Sequence, residues 1–279
     1  MTKPLEGKVA LVTGAGRGQG RSHAVALARQ GADLALCDLC GDIPAAGYPL
    51  ATRADLDETR RLVEAEGVRC VAEVTDVRDL DAMLSLNEAV VSSLGPVGIL
   101  VANAGISSIS SVLNATAGQW GDVIDTNLTG VFNSIRAVAL GMRRARWGRI
   151  VAISSMMGRS ANAGIPAYTA SKWGVIGLCK SAAQELAAFG VTVNVVAPGN
   201  VSTPMIHNEM MYTLMRPDLA HPTREDVAPV MADVHGQPVP WLEPEEITAA
   251  VLFLVGETGR HITGSVLDIN AGASASFTA

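Results

Sequence analysis

The chain has 279 residues, 48% of them hydrophobic and 17% charged, a length and composition that fit one globular enzyme domain and exclude a disordered or fibrous chain. Its formal net charge of −6, with Lys and Arg scattered, leaves no basic stripe, so neither nucleic acid nor an anionic membrane is expected as a partner. Four cysteines are too few and too dispersed for a disulfide framework or a zinc site.

The first element is Val9-Ala10-Leu11-Val12-Thr13, a continuous apolar run that predicts a strand covered on both faces. It begins almost at once, which leaves no room for a signal peptide and makes a cytoplasmic location the expectation. Thr13-Gly14-Ala15-Gly16-Arg17-Gly18-Gln19-Gly20 follows, and then a helical pattern through Ala24, Val25, Leu27 and Ala28 to Gly31. The G-x-G-x-x-G fingerprint fails here, because its last glycine would fall on Gln19 or Arg21; T-G-x-x-x-G-x-G fits. Gly14 permits the tight turn, Gly18 lets the backbone approach a pyrophosphate, and Gly20 allows close helix packing, with free N–H groups at the helix start for the anion. The next strand, Asp33 to Cys37, ends at Asp38, eighteen residues past the last glycine. A carboxylate there accepts from the ribose hydroxyls and repels a 2′-phosphate, favouring NAD over NADP. Against this, the Arg17 guanidinium suits a 2′-phosphate, and Asp38 also reads as a plain strand-end residue capping a turn.

Between Asp38 and a helix starting near Asp55, residues 39–54 exceed the roughly two to six residues usual for such connections. Rich in Pro and Gly yet carrying Ile43, Tyr48 and Leu50, the segment reads either as a lid over the adenosine half of a cofactor or as a tolerated surface insertion. Further strands are predicted near 69–74, 97–102, 148–153, 191–196 and 266–269, separated by helical stretches. The fold class is therefore α/β: a single-domain Rossmann fold over residues 1–279, with a doubly wound seven-stranded parallel sheet flanked by helices. Arg143-Arg144-Ala145-Arg146 is expected to complement a helix dipole, and Cys37 and Cys40 to be buried thiols. His23, on the first helix, is expected to be a packed or surface histidine. The uncharged run from Leu186 to Ile206 contains Gly190, Pro198 and Pro204 and reads as buried strand and loop, not as a membrane span.

Tyr168-Thr169-Ala170-Ser171-Lys172 places a phenol and an ammonium four residues apart on one helix face. Oxidising a secondary alcohol needs a base for the hydroxyl proton while hydride leaves the carbon, and a phenol with pKa near 10 is mostly protonated at neutral pH. Its pKa must fall. A unit charge about 4 Å away at an effective dielectric near 20 is worth about 4 kcal/mol, close to three pKa units, which Lys172 and an oxidised nicotinamide together could supply.

Taken together these residues resemble the short-chain dehydrogenase/reductase family over nearly the whole chain. Asp76-Val77 is similar to its adenine-contacting pair, and Asn103-Ala104-Gly105 to its N-A-G turn, with Ala102 in place of the commoner first Asn. Asn127 matches the helix asparagine of its proton relay, and Ser155, thirteen residues before Tyr168, takes the catalytic serine's spacing in preference to Ser154. Pro198-Gly199-Asn200-Val201-Ser202-Thr203 matches the P-G-x-V-x-T segment that holds the nicotinamide carboxamide. The resemblance implies Asn127, Ser155, Tyr168 and Lys172 as the catalytic set, with Lys172 also holding the nicotinamide ribose. For the dinucleotide it implies Gly14, Arg17, Gly18, Gln19, Gly20, Asp38, Leu39, Asp76, Val77, Asn103, Ala104, Gly105, Tyr168, Lys172, Pro198, Gly199, Val201 and Thr203. The long loop, with Arg21-Ser22-His23, Arg216-Pro217-Asp218-Leu219 and His221 to Asp226, looks like the mycofactocin-associated branch, which includes carveol dehydrogenases. That branch implies NAD held tightly without exchange and electrons passed to a mycofactocin-type carrier.

Residues 204–241 fall where the family places its substrate lid. The methionines here suit an irregular apolar ligand, a hydrophobic secondary alcohol such as a cyclic terpene alcohol or its ketone, or simply fill core gaps. Met156, Met157, Met205 and Met210 are the candidate wall residues, with Trp120 a further one. The helix after Tyr168 is apolar nearly all round, so its face away from the sheet calls for another subunit, in keeping with a homotetramer. Two rival readings stand beside this one: an NADPH-dependent 3-oxoacyl or steroid ketoreductase, which Asp38 disfavours, and a non-catalytic NAD-sensing protein, which has no need of the base.

Overall fold

The structure, a computed structural model, describes residues 3–276. Along the chain run β1 Val9–Thr13, α1 Gly18–Arg29, β2 Asp33–Asp38, α2 Arg53–Glu64, β3 Cys70–Val74, α3 Leu80–Ser93, β4 Val97–Ala102, α4 Ala117–Ile124 and α5 Gly130–Ala145. Then follow β5 Gly148–Ile153, α6 Pro166–Leu186, β6 Val191–Pro198, α7 Glu209–Met215, α8 Arg224–Asp233, α9 Pro244–Val255 and β7 Val266–Ile269. The strands form one sheet in the order β3-β2-β1-β4-β5-β6-β7, with every pairing parallel. β6 runs two residues past the expected end, because Ala197 and Pro198 continue to pair with Asp268 and Ile269 of β7.

β1, β5 and β6 are buried at every position, as a sheet covered on both faces requires, β1 as an unbroken apolar run and the other two with Arg149, Thr192 and Asn194 carried in among apolar neighbours. One face packs against α3, α5 and α6 through residues such as Met83, Val138, Met142 and Val175; the other packs against α1, α2 and α9 through Leu27, Leu56, Val63, Ile247 and Val251. His23 lies in this second core, its Nδ1 2.7 Å from the Thr248 hydroxyl, and burial drops its pKa to about 3. Helix ends follow their sequence signals: Thr52 with Asp55 and Thr223 with Asp226 form capping boxes on α2 and α8, while α5 stops at left-handed Arg146 with Arg143 and Arg144 in its last turn.

Residues 39–54 fold as a compact apolar unit. Pro44–Ala46 form a short 3-10 turn that closes at left-handed Gly47. Ile43, Ala45, Ala46 and Tyr48 are buried with Ile106, Val123 and Ala167, and Tyr168, Met205 and Met210 pack against them. The segment thus reaches well past the adenosine half of the cleft, as far as the tyrosine.

Candidate active site

The strand order reverses between β1 and β4, and a cleft of about 170 Å³ opens at the carboxyl ends of the strands there. Gly14 (φ +64°) and Gly18 (φ +55°) both take left-handed backbone. A Cβ at Gly14 would stand 2.7 Å from the Ala104 Cα, and one at Gly20 would run into the Gly14 carbonyl oxygen. The turn after β4 clamps the glycine loop: Asn103 Nδ2 donates to the Thr13 and Gly14 carbonyls at 3.0 and 3.1 Å, and the Thr13 hydroxyl accepts from the Asn103 and Ala104 N–H groups. α1 starts with no capping side chain and no acid in its first turn, so its positive end is left for an anion. The glycine cradle and this uncapped end fit a dinucleotide pyrophosphate.

At the other end of the cleft the Asp38 carboxylate is fixed by the N–H groups of Gly16 (2.9 Å) and Cys40 (3.2 Å), so it both caps the strand end and lines the cleft, as Leu39, Asp76 and Val77 do. The Arg78 guanidinium pairs with Asp76 at 2.6 Å and holds its carboxyl below the usual range, although burial pulls the other way. Arg17 lines the same cleft, and its guanidinium donates to the Pro49 carbonyl and straps residues 39–54 to the glycine loop. Tyr48 adds a second tie, its hydroxyl accepting from the Ser107 N–H at 3.3 Å.

Tyr168 and Lys172 lie one turn apart on α6, with Lys172 Nζ 5.5 Å from the centre of the tyrosine ring and donating to the Ile153 carbonyl at 2.9 Å. Burial lowers the Lys172 ammonium to about 8. The expected fall in the phenol's pKa is not found in the chain alone: burial raises Tyr168, and the Ser155 hydroxyl beside it pulls the other way only in part. Ser154 and Ser155 are separated by their partners. The Ser154 hydroxyl donates to the Lys172 carbonyl at 2.9 Å, whereas Ser155 caps the turn Met156–Gly158 by accepting from Met157 N–H at 3.1 Å and faces the phenol. Asn127 sits in a π-helical turn, Asp125–Thr129, between α4 and α5. Its amide joins two segments, accepting from Ile106 N–H at 2.8 Å and donating to the Ile106 carbonyl and the Ser171 hydroxyl at 2.9 and 3.0 Å.

A second cavity of about 340 Å³ opens on the far side of Tyr168. Ser155, Met156, Met157, Ile165, Met205, Met211, Leu214 and Met215 line it, together with Pro198, Gly199 and Val201 from the end of β6. Thr203, Met205, Gln19, Ser154 and Tyr168 border both cavities. Two expected wall residues fall elsewhere. Met210 turns onto Gly47 of the 39–54 segment, leaving the wall to its neighbour Met211, and Trp120 stands half exposed on α4.

Two histidines whose roles no local pattern signals support this region. His235 accepts from Asn200 N–H through Nε2 at 3.2 Å, with Nδ1 2.6 Å from the Val239 carbonyl, and so pins the segment after β6. His207 bridges the Ser202 and Tyr212 hydroxyls, 3.0 Å from each, and ties α7 to that segment. Among the described residues, no helix is long and apolar enough to cross a membrane.

A glycine loop at the switch point of a parallel sheet, opening beside a paired phenol and ammonium, is the architecture of a dinucleotide-dependent oxidoreductase. The chain belongs to the short chain dehydrogenase family, whose pattern it matches over residues 8–211. It is 43% identical to the (-)-trans-carveol dehydrogenase of Rhodococcus erythropolis over 97% of this chain and 98% of that one. The crystal structure of a carveol dehydrogenase from Mycobacterium avium in complex with NAD superposes with a TM-score of 0.96 at 42% identity, covering 98% of this chain and 99% of that one. A short chain dehydrogenase from Mycobacterium paratuberculosis bound to NAD gives a TM-score of 0.89 at 36% identity, covering 98% and 99% of the two chains.

Proposed function

We propose that this protein is an NAD-dependent dehydrogenase that interconverts a hydrophobic secondary alcohol, of the size and shape of a cyclic terpene alcohol such as carveol, and its ketone. The observation that carries the reading is the placement of Tyr168 on the border between a cleft with a glycine cradle and a methionine-rich cavity, with Ser155 beside the phenol in the wall of that second cavity. Asp38, fixed by two N–H groups at the ribose end, favours NAD, while Arg17 spends one of its donors on the Pro49 carbonyl. The same carboxylate weighs against the NADPH-dependent ketoreductase reading.

When bound, NAD supplies the hydride acceptor and a positive charge near the phenol. Ser155 donates a hydrogen bond to the substrate oxygen, and Tyr168 takes its hydroxyl proton. Ser155 opposes in part the burial that keeps the phenol protonated, and Lys172, mostly charged at neutral pH and one turn away, adds its charge to that pull once NAD is in place. Asn127 holds the Ile106 backbone and Ser171 so that α6 and the strand-end loops keep a fixed spacing. The methionine wall excludes water and accommodates an irregular apolar ring.

The 39–54 segment, strapped at Pro49 and Tyr48, acts as a cover over the cleft, and residues 204–241 act as the substrate lid. A strapped cover supports NAD that is retained between turnovers and reoxidised in place by a mycofactocin-type carrier. Trp120, Phe132, Leu140 and Trp173 stay about half exposed on α4, α5 and α6, which supports a homotetramer. Tyr168→Phe is the test of the chemistry. The variant should retain NAD yet lose at least about 10³-fold in kcat for cyclic terpene alcohols assayed with an artificial electron acceptor. Residual turnover within about tenfold of wild type removes Tyr168 as the base.

A further inference from the structure

The Gln19 side chain stands out at the meeting point of the two cavities. It borders both of them, and its amide oxygen Oε1 is buried with no hydrogen-bond partner in the chain. A buried acceptor without a donor is a standing destabilisation, and native structures keep few of them outside sites where a ligand completes the network. The position is fixed by backbone: Gln19 lies between Gly18 and Gly20 at the start of α1, and Gly20 is packed against the Gly14 carbonyl, so the residue cannot move off the junction without disturbing the loop.

The missing partner must be a donor, which rules out the acceptor-only pyrophosphate oxygens. It must also sit at the Tyr168 end of the cleft, because Gln19, like Tyr168, borders the second cavity as well as the first. On the reading that the cleft holds NAD with its reactive ring beside Tyr168, the donors that arrive there are the nicotinamide ribose hydroxyls, which fall to Lys172, and the carboxamide amine, whose two N–H bonds can serve the segment after β6 and Gln19 together. We propose that Gln19 is a positioning residue that reads this amine through its side-chain oxygen and so fixes the rotation of the nicotinamide ring between the two cavities.

The test uses three ligands and calorimetric titration on protein freed of retained nucleotide with charcoal. NAD has the carboxamide amine, its 3-acetylpyridine analogue carries a methyl in that place, and ADP-ribose lacks the ring altogether. Wild type should bind NAD about tenfold more tightly than the analogue, the effect of one neutral hydrogen bond. Gln19→Leu should weaken NAD about tenfold, leave the analogue within about twofold, and leave ADP-ribose unchanged. Gln19→Met, which keeps the chain length, should behave alike and decides the matter if the leucine variant does not fold. Equal wild-type binding of NAD and its analogue overturns the assignment, as does a preference that survives in the folded variants. A loss of ADP-ribose affinity that matches the loss for NAD also overturns it, since the residue would then be acting on the loop. Wild type that binds none of the three ligands overturns instead the dinucleotide reading on which this inference rests.

Discussion

Lys172→Met separates what the buried ammonium does for chemistry from what it does to stability. Burial holds the Lys172 pKa at about 8, against its ordinary 10.5. The folded-state value is the lower one, so between the two the unfolded chain binds more protons and stability rises with pH. With those two values, carrying this lysine into the core costs about 3 kcal/mol at pH 7 and about 1 kcal/mol at pH 9.5, a recovery of about 2 kcal/mol. The methionine variant has no such pH term, but it leaves the Ile153 carbonyl without the donor that Nζ provides at 2.9 Å, a loss of about 1–3 kcal/mol that offsets the gain at pH 7. Urea unfolding of nucleotide-free wild type and variant at both pH values should therefore find the two close at pH 7. Wild type should move ahead by about 2 kcal/mol at pH 9.5, and kcat of the variant should fall by about 10²–10⁴-fold. A stability difference that stays constant across that range would refute the burial argument, whatever happens to turnover.

The adjacent serines should part company in turnover: Ser155→Ala lowers kcat by about 10²-fold, with about 1 kcal/mol of stability lost where the Met157 N–H loses its acceptor. Ser154→Ala instead leaves kcat within a few-fold and lowers stability by about 1 kcal/mol, because the Lys172 carbonyl keeps its helical partner and loses only a second donor; equal kinetic defects in the two would contradict their assigned partners. Arg17→Leu removes the strap to Pro49 and should speed release of retained nucleotide, measured by chasing it with labelled NAD. An unaltered release rate would show that the 39–54 segment does not gate the cofactor. Asp38→Asn lifts the charge repulsion at the ribose and should shift the NADP to NAD affinity ratio upward by about tenfold; a fixed ratio in competitive titrations removes Asp38 as the selector.

The features that local spacing controls were legible in the chain itself. An unbroken apolar run such as Val9–Thr13 has no polar face to show to water, so it had to be a strand covered on both sides. The i, i+4 relation of Tyr168 and Lys172 follows from helix periodicity alone, and the glycines at 14, 18 and 20 mark places where left-handed backbone or close approach leaves no room for a Cβ. These sufficed for the doubly wound sheet and for the position of the cleft at its switch point.

What the sequence left open were choices between neighbours and partners, and those depend on contacts far apart in the chain. Ser154 and Ser155 are chemically identical; only the Lys172 carbonyl, eighteen residues away, consumes one hydroxyl and leaves the other facing the phenol. Met210 and Met211 differ in nothing but helix phase, and the packing of Gly47 against Met210 decided which of them meets the second cavity. Arg17 stands beside the glycines in the sequence, but its bond to a carbonyl thirty-two residues on exists only because the 39–54 segment folds back over the loop. The phenol's pKa shows the division most plainly. Its charged neighbour is written in the primary structure, but the desolvation that opposes that neighbour arises only when the sheet, α6 and the loops close around it, because burial belongs to the assembled fold and to no single stretch of chain.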